Sequence, residues 1–241
     1  MLAAAWWGFV GGSALLLGAA VGVLWSVPVR VLGLILGFGA GVLFSAVAFE
    51  LTADAYAASG AVPLVVGLLA GALVFFAGDD WLDRRGAHRR KNPTGPQPGA
   101  AASALVLGAL LDGIPESAAI GLSLLDGTGV GVAVVAAVFL SNVPEAMASA
   151  AGMRAAGHPR LRILGLWALV TLAGTVAAAL GYGLLGGAAP SAVAATQAFA
   201  AGAILTMLAD TMLPEGVEHA GRLVGLVTVL GFACAFLLST V

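Results

Sequence analysis

The chain has 241 residues, of which 61% are hydrophobic and only 9% charged, with a formal net charge of -2 and a mean hydropathy of +1.06. A soluble domain of this length does not need so much apolar surface, and near neutrality does not suggest nucleic acid as a partner, so composition points to an integral membrane protein in a lipid bilayer. Cys234 is the sole cysteine, which excludes a disulfide framework and a thiolate cluster for zinc.

A membrane-spanning helix needs roughly 17 to 25 apolar residues. Polar and proline-rich breaks divide residues 1–241 into a single transmembrane domain of eight helices, at about 5–26, 30–56, 62–82, 101–125, 128–153, 161–185, 191–213 and 221–240. The N-terminal stretch Met1 to Trp7 holds no basic residue before its apolar run, so it reads as a first span and not as a cleaved signal. With eight spans, loops one, three, five and seven share a side and hold Arg30; then Arg84, Arg85, Arg89, Arg90 and Lys91; then Arg154, Arg160 and Arg162; then Arg222. All ten basic residues fall there, so the positive-inside rule makes these loops cytoplasmic and puts both termini outside. The loop at 83–100 is basic, rich in proline and expected to be flexible, with His88 a weak metal-collecting candidate.

Internal matches cross the chain. Phe38-Gly-Ala-Gly-Val-Leu-Phe-Ser aligns with Phe199-Ala-Ala-Gly-Ala-Ile-Leu-Thr, and the same offset sets Asp54 against Glu215. Trp7 with Trp167, Gly71 with Gly231 and Phe76 with Phe236 extend the pairing, so the first three spans resemble the last three. Equivalent helices are five spans apart, an odd number, so the triplets enter the membrane in opposite directions. The expected fold is all-α, a 3+2+3 arrangement with inverted repeats, the plan of many secondary transporters.

The central pair carries the chemistry. Span four contains Leu111-Asp-Gly-Ile-Pro-Glu-Ser and span five contains Leu140-Ser-Asn-Val-Pro-Glu-Ala. Asp112 and Glu116 are four apart and share a helix face, as do Ser141 and Glu145, with Asn142 about 100° round from Ser141. Each charge at the centre of a span costs roughly 2.5–3.5 kcal/mol on insertion scales, and no basic residue falls inside these helices. Protonation is one compensation, since burial and like charge both favour the neutral carboxyl, and a bound divalent cation is the other. Pro115 and Pro144 kink the helices and free the carbonyls of Leu111 and Leu140, which membranes tolerate where they line a cavity or meet a ligand. The bland alternative is a kinked pair whose acids are protonated and packed.

The paired Pro-Glu motifs resemble those of the ZIP (Zrt/Irt-like) family of divalent metal transporters, whose fourth helix carries His-Asn-x-Pro-Glu-Gly and whose fifth carries a similar signature. The resemblance extends to eight spans, outside termini, a variable loop after span three and inverted triplets. It implies a metal site at Asp112, Glu116, Ser141, Asn142 and Glu145, alternating access, and a prokaryotic-type member in a cytoplasmic membrane, with a homodimer as the oligomer to consider. Two departures stand out: Asp112 replaces the family histidine and Gly113 its asparagine. Span six offers only Thr171 and Thr175 for a second metal position, so one all-oxygen site is expected. Oxygen ligands suit manganese, magnesium or calcium, and zinc or iron are also held by carboxylates. The resemblance puts zinc first.

Glu50 and Asp54 near the end of span two, and Asp210, Glu215 and His219 near the end of span seven, are candidate pathway residues against a plainer reading as interfacial acids. Asp79, Asp80 and Asp83 read as the end of span three, balancing nearby arginines. Trp6, Trp7, Trp25, Trp81 and Trp167 read as interface anchors, and Met147, Met153, Met207 and Met212 as packing. The expected function is import of a divalent metal cation (zinc, manganese or iron) as substrate, by a non-enzyme without a prosthetic group. No phosphate-binding Gly-x-x-x-x-Gly-Lys loop suggests ATP hydrolysis. The alternatives are a proton-coupled carrier of a small organic cation and, against the lack of any histidine inside a span, an intramembrane hydrolase.

Overall fold

The computed structural model describes residues 1–25, 27–84, 101–125 and 131–239. Among them no strand occurs, and the chain folds into eight helical rods: α1 (Leu2–Leu24), α2 (Val29–Ser59), α3 (Ala61–Leu82), α4 (Ala101–Ser123), α5 (Val132–Ala155), α6 (Arg160–Leu185), α7 (Pro190–Ala220) and α8 (Leu223–Ser239). Among the described residues six of these, α1, α2, α3, α5, α6 and α7, are long and apolar enough to cross a membrane. The molecule is thus helical and suited to several membrane crossings. Most of the loop at 83–100, with His88, and the expected turn at Asp126-Gly127-Thr128 lie outside the described residues.

Prolines and glycines set the helix limits. Pro28, Pro159 and Pro190 stand at or just before helix starts, where a missing N–H leaves no helix bond unmade. Gly60 and Gly221 close α2 and α7 at φ +77° and +67°, a conformation that side chains other than glycine adopt at a cost. The expected limits move, most at the end of the seventh helix. The seventh helix does not stop near 213 but runs to Ala220, carrying Glu215 and His219 on helix, and the second runs to Ser59 instead of 56. Pro214 does not end α7, because the turn before it, Leu208–Met212, widens to π-helix and takes up the disturbed bonding. A matching π segment, Val47–Thr52, lies in α2.

The rods alternate in direction. Met1 lies against Gly183, and Gly33 lies against Gly216 and Ala220, so α1 runs against α6 and α2 against α7. One end of the bundle therefore gathers Met1, Gly60, Leu125 and Pro190, and the other gathers Trp25, Ala151 and Gly221. Parallel neighbours pack most closely. At Gly41 and Gly231 a side chain would strike the carbonyls of Thr228 and Phe38 between α2 and α8. At Gly71 and Gly202 it would strike those of Phe199 and Leu68 between α3 and α7. Helix backbones approach this closely only where both surfaces are small.

Burial ranks the helices by position. Of the six long apolar helices α5 is the most enclosed and α3 the least, its exposed face formed by Val62, Val66, Leu69 and Leu73. Of the expected interface anchors, Trp6, Trp25 and Trp81 are exposed, but Trp167 is buried against Leu15 and Ala146 in the core that α1, α5 and α6 share. It sits two turns into α6, on a face that points inward. The four methionines weighed as packing residues are buried.

Candidate metal site

The sequence motif on α4 and its echo on α5 meet in the interior. Asp112 is 2% exposed, Glu116 0%, Ser141 0%, Asn142 3% and Glu145 3%. Both helices continue through their prolines, Pro115 and Pro144. α1 packs beside the second motif so closely that a side chain at Gly18 would strike the Val143 carbonyl, the residue before Pro144.

A direct contact joins the motifs where Ser141 Oγ lies 3.5 Å from Glu116 Oε1. The same hydroxyl lies 3.0 Å from the Val138 carbonyl. A serine has one proton to donate, and the shorter bond holds it better. Both contacts are satisfied together when Glu116 carries a proton and donates to Ser141, or when a cation sits against the two oxygens. Asn142 turns its amide toward α1, with Nδ2 3.5 Å from the Gly11 carbonyl, which leaves Oδ1 as its ligand-capable atom. The nearest basic residue on either helix is Arg154, nine residues past Glu145, or about 14 Å along the axis at 1.5 Å per residue.

Around this pair, α1 acts as a bracket. Thr171 of α6 donates to the Gly12 carbonyl at 3.1 Å, and Thr175 donates to the Thr171 carbonyl at 2.9 Å. The two hydroxyls considered for a second metal position are thus engaged with backbone. The role of Gly11 and Gly12 as acceptors went unread in the sequence, where an adjacent glycine pair is only a sign of close packing.

The pathway candidates lie elsewhere. Glu50 sits half-buried in the π segment of α2 and Asp54 one turn beyond it, exposed. Asp210 is exposed in the π segment of α7, and Glu215 and His219 are half-buried one turn apart near its end. Asp79 corrects its expected role: it does not simply end α3 at the surface but is 9% exposed on the face that also buries Gly71 and Phe75. Its neighbour Asp80 keeps the role, bonding Arg84 at 2.9 Å on the surface. Gln197 of α7, 3% exposed, is a buried polar residue that carried no sequence signal, being one amide in an alanine-rich run.

Among the described residues, no three His, Cys, Asp or Glu side chains converge closely enough to hold a metal ion. Among these residues fewer than three such ligands are therefore available to any one ion, so a metal held here would need Ser141, Asn142, backbone carbonyls or water to complete its shell. No protein-family model and no curated protein matches this chain.

Proposed function

We propose that this chain is a membrane transporter that admits a divalent metal cation to the cytoplasm through the carboxylate site between α4 and α5, with zinc first and manganese or iron as the other substrates. The observation that carries the reading is the burial of Asp112, Glu116 and Glu145 beside Ser141 and Asn142 on two proline-interrupted helices. Charges are rare at such depth unless they serve an ion or proton pathway. The ZIP resemblance of the two Pro-Glu motifs adds the substrate class and alternating access.

The proposed architecture is 3+2+3 with inverted repeats, both termini outside. Several observations support it. α2 and α7 both have 31 residues, and their starts, their ends, their π segments and their positive-φ glycines all stand 161 positions apart. That is the offset of the Phe38 and Phe199 stretches, and the Trp7, Gly71 and Phe76 matches lie one residue from it, at 160. The packing pairs obey the same exchange, since α2 on α8 corresponds to α7 on α3, and α1 on α5 to α6 on α4.

A second reading, a proton-coupled carrier of a small organic cation, is favoured by the lack of a converged three-ligand group among the described residues. An ammonium group would need only a pair of carboxylates. Uptake into proteoliposomes separates the two. Zinc or manganese uptake that Glu116→Gln with Glu145→Gln lowers by about a hundredfold or more supports the metal reading, since removal of two buried charged ligands costs several kcal/mol. If no divalent ion enters while an organic cation does, the second reading replaces it.

A further inference from the structure

We infer that the cavity beside Arg154, where α1 and α5 finish and α2 begins, holds the phosphate headgroup of an anionic phospholipid from the cytoplasmic leaflet. The inference goes beyond the transport reading and rests only on the membrane reading and on the sidedness drawn from the arginines. A cavity of about 490 Å³ opens at this end of the bundle, walled by the end of α1 through Trp25, by Val27 and Val29, and by the last turn of α5. Arg154 is the only charged side chain among the described residues that line it. It is exposed and makes no ion pair with any described residue.

The rest of the chain does not reverse this sign. Ser26, between Trp25 and Val27, is neutral, and residues 85–100 contain no acid. Asp126, the one acid outside the described residues, follows Leu125, which stands at the opposite end of the bundle. Among the described residues, the acids at the Arg154 end belong to α3 and α7, neither of which lines the cavity. The helix ends offset one another: α2 starts there without a side-chain cap and presents positive partial charge, while α1 and α5 end in carbonyls of the opposite sign. The whole charge of Arg154 sets the balance, and other arginines add to it. Arg30 follows Val29 directly, and α1 meets α6 with Gly8 at Ala178 and Gly12 at Thr171, a register that brings Trp25 level with the first turn of α6, which holds Arg160 and Arg162.

The walls select a lipid over a free anion. Leu24 and Trp25 are 57% and 64% exposed, and Leu17, two turns back on the same face of α1, is exposed as well. The cavity is thus continuous with apolar surface suited to an acyl chain, from which a soluble phosphate gains nothing. A tryptophan ring with its N–H is adapted to headgroup level, and a guanidinium forks onto phosphate oxygens. Basic pockets between spanning helices on the cytoplasmic side face a leaflet that carries anionic lipid.

The test is native mass spectrometry of the purified full chain in a neutral detergent, titrated with phosphatidylglycerol or with phosphatidylcholine. Wild type is expected to retain one phosphatidylglycerol about tenfold more tightly than phosphatidylcholine. Arg154→Gln is expected to lower the phosphatidylglycerol affinity about tenfold and to leave that for phosphatidylcholine unchanged. Arg154→Lys, which keeps the charge, restores part of the difference and so separates lost recognition from lost folding. Arg84→Gln, on α3 and outside the cavity, is the control and leaves both affinities unchanged. Equal retention of the two lipids, or an Arg154→Gln variant that binds as wild type does, overturns the proposal. Displacement of phosphatidylglycerol by inorganic phosphate at equal concentration also overturns it, because the occupant is then a soluble anion. Detergent has no leaflets, so either failure leaves the sidedness and the transport reading standing.

Discussion

On the transport reading proposed above, Asp112 is the residue that most sets this chain apart from the ZIP motif pattern. An aspartate where the resemblance expects an imidazole offers only oxygen, and oxygen ligands discriminate less strongly in favour of zinc over manganese. Asp112→His is therefore expected to raise zinc uptake relative to manganese by about tenfold, in proteoliposomes given both ions in turn. An unchanged ranking would show that Asp112 does not reach the ion. The residue types at the site were legible because carboxylates in apolar runs are conspicuous. The orientation of Asn142 was not, since an amide can face either neighbour, and only the position of the Gly11 carbonyl settles where its Nδ2 goes.

At the scale of the helix, the close contacts depend on glycine. Gly231 lies against the Phe38 carbonyl, and valine there would force α2 and α8 apart. Gly231→Val is expected to destabilise the protein by about 3 kcal/mol, at the upper end for overpacking because the obstacle is backbone, which thermal unfolding in detergent would measure. Gly225, on the same helix with nothing near it, is the control, and Gly225→Ala is expected to be neutral or stabilising. The helices themselves followed from hydropathy, but their ends did not. Pro214 reads as a break in a sequence, and it fails to break α7 because the π segment before it absorbs the lost hydrogen bond.

For the molecule as a whole, the alternation of helix directions has a direct consequence for labelling. With Cys234 replaced by serine, a cysteine at Ala188 is expected to react with an impermeant reagent from outside the cell, and cysteines at Gly157 and Arg222 only from the cytoplasmic side. Reaction of all three from one side would remove both the inverted arrangement and the sidedness drawn from the arginines.

Composition, hydropathy and the placement of arginine were enough to determine a helical membrane protein with its breaks near the right residues, because the bilayer imposes length and polarity on each span independently of the others. The burial of Asp112 and Glu116 on one helix face was also within reach, since helix periodicity relates residues four apart. Only the tertiary structure decided which helices touch. It put α1 beside both central motifs, buried Asp79 and Trp167, and gathered Trp25 and Arg154 around one cavity. These depend on how rods of nearly uniform hydrophobicity turn about their axes, and in such helices the sequence carries little amphipathic signal to say which face points inward.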